Sequence, residues 1–314
     1  MSLRVNDDDI VLYPIEINNI IKTSYSIFTP LFYPVKIPMK TQVTRTYQEK
    51  IKLVIFDWAG TMVDFGCQAP IDAFVTGFRA MGVEVSMETA RIPMGMEKRS
   101  HIKTVLDFPE VAEAWKKVHG RVVTDRDIDS MYDNFTSLLL RSIESKSELL
   151  PGVLNTVETL RKNDVKIGAS TGYFTEAAEI VIQCAAKSGY IPDFSICSSD
   201  VPAGRPAPWL IFRTMETLNV WPPEAVVNVG DTPVDIESGL NAGVWSVGVA
   251  ATGNQMGFTD KELQNLGPDE YRRRLEKARS SLFKAGAHYV IDTMDQLPAV
   301  VDNVNKCLAR GEKP

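Results

Sequence analysis

The sequence has few cysteines, no long hydrophobic run and no cluster of basic residues, and each of these absences excludes a class of protein. Its four cysteines, Cys67, Cys184, Cys197 and Cys307, lie far apart without metal-ligand spacing. We therefore expect reduced thiols in a cytoplasmic compartment rather than a disulfide framework. No apolar run approaches the roughly 18 residues of a membrane helix. The net charge of −6, with no Lys/Arg-rich segment, argues against nucleic acid as a partner.

Two nucleotide-binding fingerprints are also missing. The sequence has neither a Gly-x-x-x-x-Gly-Lys-Ser/Thr loop nor a Gly-x-Gly-x-x-Gly turn, so the common nucleotide-loop and dinucleotide sites lack their signatures. What is present is ordinary globular composition, with 44% hydrophobic and 24% charged residues in a chain of 314. That length fits one large or two modest domains.

From Ile51 onward, short apolar runs alternate with amphipathic segments. The apolar runs, which predict buried strands, lie at 52–56, 165–169 and 226–229, with weaker ones at 244–249 and 288–291. The helical segments between them lie at 152–162, 175–187 and 233–242. This alternation predicts an α/β fold with a doubly wound, mostly parallel, Rossmann-like sheet.

Two stretches depart from this rhythm. Residues 67–146 carry amphipathic helical patterns and no convincing strand, so we predict a small helical cap domain inserted after the first strand. The Rossmann-like catalytic core then comprises residues 51–66 and 147–314. Residues 1–50, which contain three consecutive aspartates at positions 7–9 and four prolines, are interpreted as an N-terminal extension of unknown role.

Polar side chains follow the ends of the predicted strands, where open α/β sheets place their ligands. Asp57 ends the first strand and Thr171-Gly172 the second, while Arg205 stands in a Gly-Arg-Pro segment and Asp231 follows the Val-Asn-Val-Gly strand. An aspartate can attack phosphorus to give an aspartyl-phosphate. A divalent cation and an arginine would offset the negative charges of nucleophile and substrate. The order and spacing of these elements predict phosphoryl transfer onto Asp57.

This set of motifs resembles the haloacid dehalogenase superfamily from about Ile51 to the C-terminus, with the helical insertion in the place of that superfamily's small cap. The resemblance implies Asp57 as nucleophile and Mg²⁺ as cofactor. The metal ligands implied are Asp57, the carbonyl of Ala59, and Asp231; Thr171, Gly172 and Arg205 are implied to bind phosphate, and Asp235 to support the site.

Position 59 departs from the usual phosphatase pattern. Most phosphatases of that superfamily have a second aspartate there to protonate the leaving alcohol, and Ala59 cannot do so. Since a general acid is typically worth about 10² to 10⁴ in rate, either the enzyme is inactive or its leaving group is not an alkoxide. Lys98 favours the second alternative, because a lysine amine can form a Schiff base with an aldehyde. The protonated imine would act as an electron sink during carbon–phosphorus cleavage.

The combination of Ala59 and Lys98 resembles the phosphonatases within that superfamily. There are three further matches. They are the segment from Met94-Gly95 to His101, the residue Tyr173, and the unusually specific run Val201-Pro202-Ala203-Gly204-Arg205-Pro206. The resemblance implies a magnesium-dependent homodimer that hydrolyses phosphonoacetaldehyde to acetaldehyde and phosphate. Cys67, Met94 and Tyr173 are expected to line the substrate pocket. Met96, Glu97 and Ser100 depart from the usual residues around the lysine.

Several alternatives stay open at this stage. His101, one helical turn from Lys98, could relay protons, since its unperturbed pKa lies near neutrality, or could only orient a neighbour. The competing functions are a magnesium-dependent phosphate-ester phosphatase or phosphomutase, against which Ala59 counts, and a catalytically silent binding protein. The intact set of Asp57, Arg205 and Asp231 argues against the silent protein.

Overall fold

The computed structural model describes residues 46–314, of which Tyr47–Pro314 form one compact unit. The predicted extension at 1–50 falls almost entirely outside the described residues. No helix within residues 46–314 is both long enough and apolar enough to cross a membrane.

A six-stranded sheet, in the order β3-β2-β1-β4-β5-β6, forms the centre of the unit, and every neighbouring pair of strands is parallel. The strands are β1 (Leu53–Asp57), β2 (Lys166–Thr171), β3 (Phe194–Cys197), β4 (Val226–Gly230), β5 (Trp245–Val249) and β6 (Tyr289–Ile291). The predicted α/β class is confirmed, and the sheet is wholly rather than mostly parallel. Strand β3 was not predicted, because it has only four residues and its first two are half-exposed.

Twelve α-helices are described in residues 46–314. They are α1 (Gln68–Ala80), α2 (Met87–Arg91), α3 (Lys98–Leu106), α4 (Pro109–His119), α5 (Asp125–Ser142), α6 (Val153–Lys162), α7 (Thr175–Lys187), α8 (Trp209–Thr217), α9 (Pro233–Ala242), α10 (Asp260–Gln264), α11 (Pro268–Lys284) and α12 (Leu297–Ala309). The first six lie between β1 and β2, the first five of them within residues 67–146, which contain no strand, as predicted. The boundaries of core and cap as separate domains stay predictions.

Strands β1 and β4 are buried at every position, because helices cover both faces of a parallel sheet. In the register of β1 against β2, Asp57 lies opposite Ser170. Phe56 lies opposite Val229 of β4, so the next residues of both central strands emerge side by side. The carboxyl ends of three adjacent strands thus bring Asp57, Thr171 and Asp231 to one edge of the sheet.

Candidate active site

A cavity at this edge of the sheet lies between the strand ends and the cap. It is lined by Asp57, Ala59, Cys67, Pro70, Met94, Gly95, Lys98, Thr171, Gly172, Tyr173, Arg205, Asp231 and Thr232. All the predicted site residues are in this set except His101 and Asp235. Residues predicted from five separate stretches of the chain therefore meet around a single space.

Arg205 is in direct contact with the predicted nucleophile. Its Nη1 donates to Asp57 Oδ1 at 2.6 Å and lies 2.5 Å from Asp235 Oδ1. Its Nη2 donates to the backbone oxygen of Ser170 at 2.9 Å and to the Ser170 hydroxyl at 2.7 Å. Because the guanidinium is buried and anchored on both nitrogens, it offers a fixed positive charge beside Asp57.

Asp235 supports both Arg205 and the start of helix α9. Its Oδ2 accepts hydrogen bonds from the backbone nitrogen of Thr232 at 3.0 Å and from its hydroxyl at 2.5 Å, which forms a capping box. The other oxygen, Oδ1, faces Arg205. One carboxylate thus contacts both the loop that carries Asp231 and the arginine, and its supporting role in catalysis stays a prediction.

Asp231 has one oxygen engaged and one free. Its Oδ2 accepts from the backbone nitrogen of Asn254 at 2.6 Å and lies 3.2 Å from Cys67 Sγ. Its Oδ1 is buried without a hydrogen-bond partner among residues 46–314. A buried carboxylate oxygen without a donor is unfavourable unless a cation or water binds it.

The charges around this oxygen fit a bound cation. Carboxylate oxygens of Asp57, Asp231 and Asp235 all lie within 4.8 Å of one another, and all three side chains are buried. Burial, followed by the neighbouring carboxylates, raises the pKa of Asp231 well above its usual range. Burial also raises the pKa of Asp57, which Arg205 opposes. Arg205 and Lys98 together cannot balance three buried carboxylates, so the donor set suits a hard divalent cation.

Cys67 is held as a thiol between two of the predicted metal ligands. Its Sγ lies 3.2 Å from the Ala59 carbonyl oxygen and 3.2 Å from Asp231 Oδ2. Burial and the charge of Asp231 raise the pKa of the thiol well above its usual value. Since the thiolate is the nucleophilic form, Cys67 is a wall of the cavity rather than an attacking group.

Lys98 is buried at the first position of α3, with 4% of its surface exposed. Its Nζ lies 5.2 Å from the centre of the Tyr173 ring. Burial lowers the pKa of Lys98 to about 8, although the charge of Asp57 opposes the change and that of Arg205 assists it. A neutral amine, the form that attacks carbonyl carbon, is therefore accessible near neutral pH.

Glu97, one of the departures from the phosphonatase pattern, points into its own helix. Its carboxylate accepts from the backbone nitrogens of Arg99 at 2.7 Å and Ser100 at 2.8 Å, so it is the N-cap of α3. Its charge raises the pKa of Lys98, but by less than Asp57 does. The acid beside the lysine therefore stabilises the helix that presents Lys98 and does not form an ion pair with it.

Two glycines allow the cap to approach the core closely. A Cβ at Gly172 would lie 2.7 Å from the backbone oxygens of Gly95 and Met96, and one at Gly95 would lie 2.4 Å from Thr232 Oγ1. Gly95 also has a φ of +92°, which side-chain-bearing residues rarely adopt. The segment that leads to Lys98 thus packs against core backbone, which leaves no space for a side chain at either glycine.

His101 is fully buried but does not line the cavity. Its Nε2 lies 2.8 Å from the carbonyl oxygen of Ala90, so that nitrogen carries the proton, and its ring stacks on Phe74. Burial and the charge of Lys98 lower the pKa of His101 well below its usual value. Its Nδ1 has no hydrogen-bond partner within residues 46–314. Proton relay and orientation both stay predictions for this neutral imidazole.

The remaining walls of the cavity are formed by Thr171, Tyr173 and Met94. The Thr171 hydroxyl accepts from the Tyr173 backbone nitrogen at 3.1 Å, which shapes the turn after β2. The Tyr173 hydroxyl is buried without a partner among residues 46–314, and burial raises its pKa well above the usual value. Met94 is buried beside Gly95. Cys67, Met94 and Tyr173 thus all line the cavity, and their contact with substrate stays a prediction.

Sequence reasoning gave no role to three polar residues around the site. Ser170 anchors Arg205, and Asn254 anchors Asp231 through its backbone nitrogen. Arg91 donates to Asn254 Oδ1 at 3.0 Å. Ser170 was detectable as the strand-end neighbour of Thr171. Arg91 and Asn254 lie 163 positions apart, and no local pattern connects them.

Comparison with known proteins identifies the family. The family model for haloacid dehalogenase-like hydrolases matches residues 51–243. Phosphonoacetaldehyde hydrolase of Syntrophobacter fumaroxidans is 42% identical over 270 residues, which cover 86% of this chain and 98% of the relative. The enzyme of the same name from Paraburkholderia phytofirmans is 43% identical over 264 residues, 84% of this chain and 99% of the relative. The chain belongs to the phosphonoacetaldehyde hydrolase family.

Solved structures agree with this assignment. A phosphonoacetaldehyde hydrolase-like protein from Oleispira antarctica superimposes with a TM-score of 0.84 at 38% identity, covering 86% of this chain and 98% of that one. A β-phosphoglucomutase from Clostridium difficile, at 18% identity and a TM-score of 0.60, shares the fold alone. The predicted superfamily and hydrolase class are confirmed for this enzyme.

Proposed function

We propose that this hydrolase cleaves the carbon–phosphorus bond of phosphonoacetaldehyde to give acetaldehyde and phosphate, with Asp57 and Lys98 acting on the two halves of the substrate. The observation that supports the proposal most is the burial of Lys98, with a lowered pKa, in the cavity that also contains Asp57. The relatives that are 42% and 43% identical carry the name of this activity.

Lys98 acts first. Its neutral Nζ adds to the aldehyde carbon, and the carbinolamine takes up one proton as it loses water, which produces a protonated imine between lysine and substrate. The low exposure of Lys98 keeps bulk water away from this imine. The positive nitrogen then withdraws electrons from the carbon–phosphorus bond.

Asp57 acts second. Its carboxylate attacks phosphorus, and the electron pair of the carbon–phosphorus bond moves toward the imine, leaving an enamine on Lys98 and a phosphoryl group on Asp57. Arg205, fixed by Ser170 and Asp235, faces the charge that develops on the phosphoryl oxygens. Water then cleaves the aspartyl-phosphate, and protonation of the enamine carbon followed by hydrolysis of the imine releases acetaldehyde.

The cation assigned to the site is Mg²⁺, with Asp57, Asp231 and the carbonyl of Ala59 as its protein ligands. When bound, Mg²⁺ would neutralise the carboxylates and the transferring phosphoryl group. Two observations support this metal site: the three clustered carboxylates, and the Oδ1 of Asp231, which has no partner among residues 46–314. The Cys67 thiol contacts both the Ala59 carbonyl oxygen and Asp231, and so lies beside these proposed ligands.

We also propose a cellular compartment and an oligomeric state for the enzyme. The described cysteines Cys67, Cys184, Cys197 and Cys307 are all free, which supports a reducing, cytoplasmic compartment. A homodimer is proposed from the resemblance noted in the sequence, and sedimentation equilibrium tests it.

Borohydride reduction tests the lysine directly. We expect phosphonoacetaldehyde and borohydride to attach a two-carbon adduct to the peptide containing Lys98, detected by mass spectrometry. Lys103, exposed on the same helix and paired with Asp107, is the matched internal control and should carry none. Turnover of phosphonoacetaldehyde without an adduct on Lys98 would refute the imine step.

The competing function is a phosphate-ester phosphatase or phosphomutase. Ala59 opposes it, because no acid stands two residues after the nucleophile to protonate an alcohol. A phosphate-release assay on phosphonoacetaldehyde and a panel of sugar phosphates, with wild type, Asp57→Asn and Lys98→Arg, separates the two. Loss of ester hydrolysis in Asp57→Asn but not in Lys98→Arg, with no activity on phosphonoacetaldehyde, would establish the competitor.

A further inference from the structure

Arg91 joins the cap to the core at the edge of the candidate active site. It is the last residue of α2 and donates three hydrogen bonds outside its own helix. Its Nη1 reaches the carbonyl oxygen of Gly66 at 2.7 Å and Asn254 Oδ1 at 3.0 Å, and its Nη2 reaches the carbonyl oxygen of Gly257 at 3.1 Å. The three accepting groups are neutral, so this contact is not an ion pair.

Asn254 also donates a hydrogen bond to the backbone of Arg91. Its Nδ2 donates to the carbonyl oxygen of Arg91 at 3.1 Å, so the side-chain amide binds both the guanidinium and the main chain of the same residue. The Asn254 side chain is buried, with 3% of its surface exposed. This reciprocal contact, the Arg91–Asn254 pair, fixes the end of α2 against the loop that follows β5.

The same loop orients Asp231. The backbone nitrogen of Asn254 donates to Asp231 Oδ2 at 2.6 Å. The preceding residue, Gly253, lies so close that a Cβ on it would be 2.5 Å from Asp231 Cβ. Any movement of the Asn254 backbone therefore changes the position of the carboxylate whose other oxygen, Oδ1, has no partner within residues 46–314.

On the cap side, the Arg91–Asn254 pair is close in sequence to Lys98. Only the short segment from Ile92 to Glu97 separates Arg91 from Lys98, and it contains Met94 and Gly95, which line the cavity. Gly95 packs against core residue Thr232. Fixing Arg91 thus fixes one end of the segment that presents Lys98, while Glu97 caps the helix at the other end.

We propose that the Arg91–Asn254 pair is a positioning element that couples cap closure to cation binding at Asp231. Closing the cap brings Arg91 to Asn254, and Asn254 in turn orients the Asp231 carboxylate with Oδ1 directed to the cation. Linkage requires the reverse as well: a cation bound at Asp231 stabilises the closed position of the segment from Ile92 to Glu97. The proposal rests on the magnesium site of the proposed function.

Lys98 is buried, with 4% of its surface exposed, so substrate entry requires the cap to move, and neutral partners suit a contact that opens with this movement. A carboxylate facing Arg91 would form a buried ion pair, which is strongly destabilised when one partner is withdrawn. Carbonyl and amide acceptors give weaker hydrogen bonds. Arg91 can leave them for water when the cap opens for substrate entry and product release.

Mg²⁺ binding, measured by isothermal titration calorimetry without substrate, tests the coupling. Groups that orient a metal ligand typically contribute about 10- to 100-fold to metal affinity, so we expect Arg91→Gln and Asn254→Ala to weaken Mg²⁺ binding about tenfold. The double variant should bind Mg²⁺ no more weakly than Arg91→Gln, because Arg91→Gln already removes the contact with Asn254. Arg91→Lys, which keeps a donor, should be intermediate. Arg79→Gln, which removes an exposed cap arginine paired with Glu84, should bind as wild type does.

Hydrogen exchange provides a second readout that activity does not affect. Mg²⁺ should slow amide exchange in the segment from Ile92 to Glu97 of the wild type and of Arg79→Gln, but not in Asn254→Ala. Thermal melting checks that each variant is folded, and the two single variants alter opposite sides of the contact. Equal Mg²⁺ affinity in wild type and both variants overturns the coupling while leaving the metal site intact. Absence of Mg²⁺ binding to the wild type overturns the metal site, and the coupling with it.

Discussion

Lys98 and Tyr173 face each other inside the active-site cavity, with the lysine nitrogen 5.2 Å from the centre of the aromatic ring. Both side chains are buried, and the lysine comes from the cap while the tyrosine follows β2 of the core. The ring shields the amine from water and attracts its protonated form only weakly compared with a carboxylate. Lys98 is therefore desolvated without a direct ion pair, which is the condition that lowers an amine's pKa.

The pH dependence of imine formation follows from this environment. With a pKa of about 8, roughly a tenth of Lys98 is neutral at pH 7, and the neutral fraction rises tenfold per pH unit below the pKa. We expect the rate of borohydride trapping on Lys98 to rise from pH 6 and level off above about pH 8. Mass spectrometry of quenched samples measures it. A plateau reached only near pH 10 would show an ordinary, solvated lysine.

Lys98→Met is expected to stabilise the fold while abolishing activity on phosphonoacetaldehyde. A pKa lowered from 10.5 to about 8 means that holding the charged lysine in the folded state costs about 3 kcal/mol. The unfolded chain binds more protons between pH 8 and 10.5, so this cost is complete below pH 8 and disappears as the pH rises through that window. Urea unfolding of both proteins at several pH values measures the difference. Lys103→Met, at an exposed site, should show no comparable gain.

Gly172→Ala should impair catalysis more than stability. Its Cβ would lie 2.7 Å from two backbone oxygens of the cap, so the cap cannot reach its closed position without a shift of main chain. We expect kcat/KM to fall by about 10²-fold, as for small misplacements of catalytic groups, with a much smaller change in Tm. Gly267→Ala is the control, because a Cβ there meets nothing within 4 Å and its φ is −62°. Equal activity of Gly172→Ala and wild type would contradict the closed arrangement.

The fold and most of the site could be predicted from local sequence patterns. Strand-end positions gave Asp57, Thr171 and Asp231, because parallel strands end at one edge of the sheet. Helix α9 was predicted at its observed bounds, and the structure shows why it begins there: Thr232 and Asp235 form a capping box around a first-turn proline.

What local patterns could not supply were contacts between distant residues. The three-residue spacing to Lys98 led us to expect His101 on the same helix face, but it did not reveal that His101 stacks on Phe74 outside the cavity lining. Nor did the sequence show that the Glu97 carboxylate caps α3 and forms no ion pair with Lys98. These arrangements depend on how the cap packs, and no periodicity encodes that.

Glu97→Gln tests whether the acid next to the lysine modulates its protonation. The charge of Glu97 raises the pKa of Lys98, so its removal should lower that pKa and shift the trapping profile toward lower pH. At pH 7 this would increase the neutral fraction, and the trapping rate, by about two-fold. Glutamine keeps a side-chain oxygen for the backbone nitrogens of Arg99 and Ser100, although it is a weaker cap than the carboxylate, so we expect α3 to lose about 1 kcal/mol at most.

The matched control for that experiment is Glu113→Gln, on the exposed side of α4, which should leave the trapping profile unchanged. A shift of the Glu97→Gln profile toward higher pH would mean that the loss of the cap, rather than the loss of the charge, controls Lys98. In that case the start of α3 would have moved, and hydrogen exchange of the amides of Arg99 and Ser100 would be faster in the variant. If the charge of Glu97 controls the pKa of Lys98, those two amides stay protected from exchange and only the protonation of Lys98 changes.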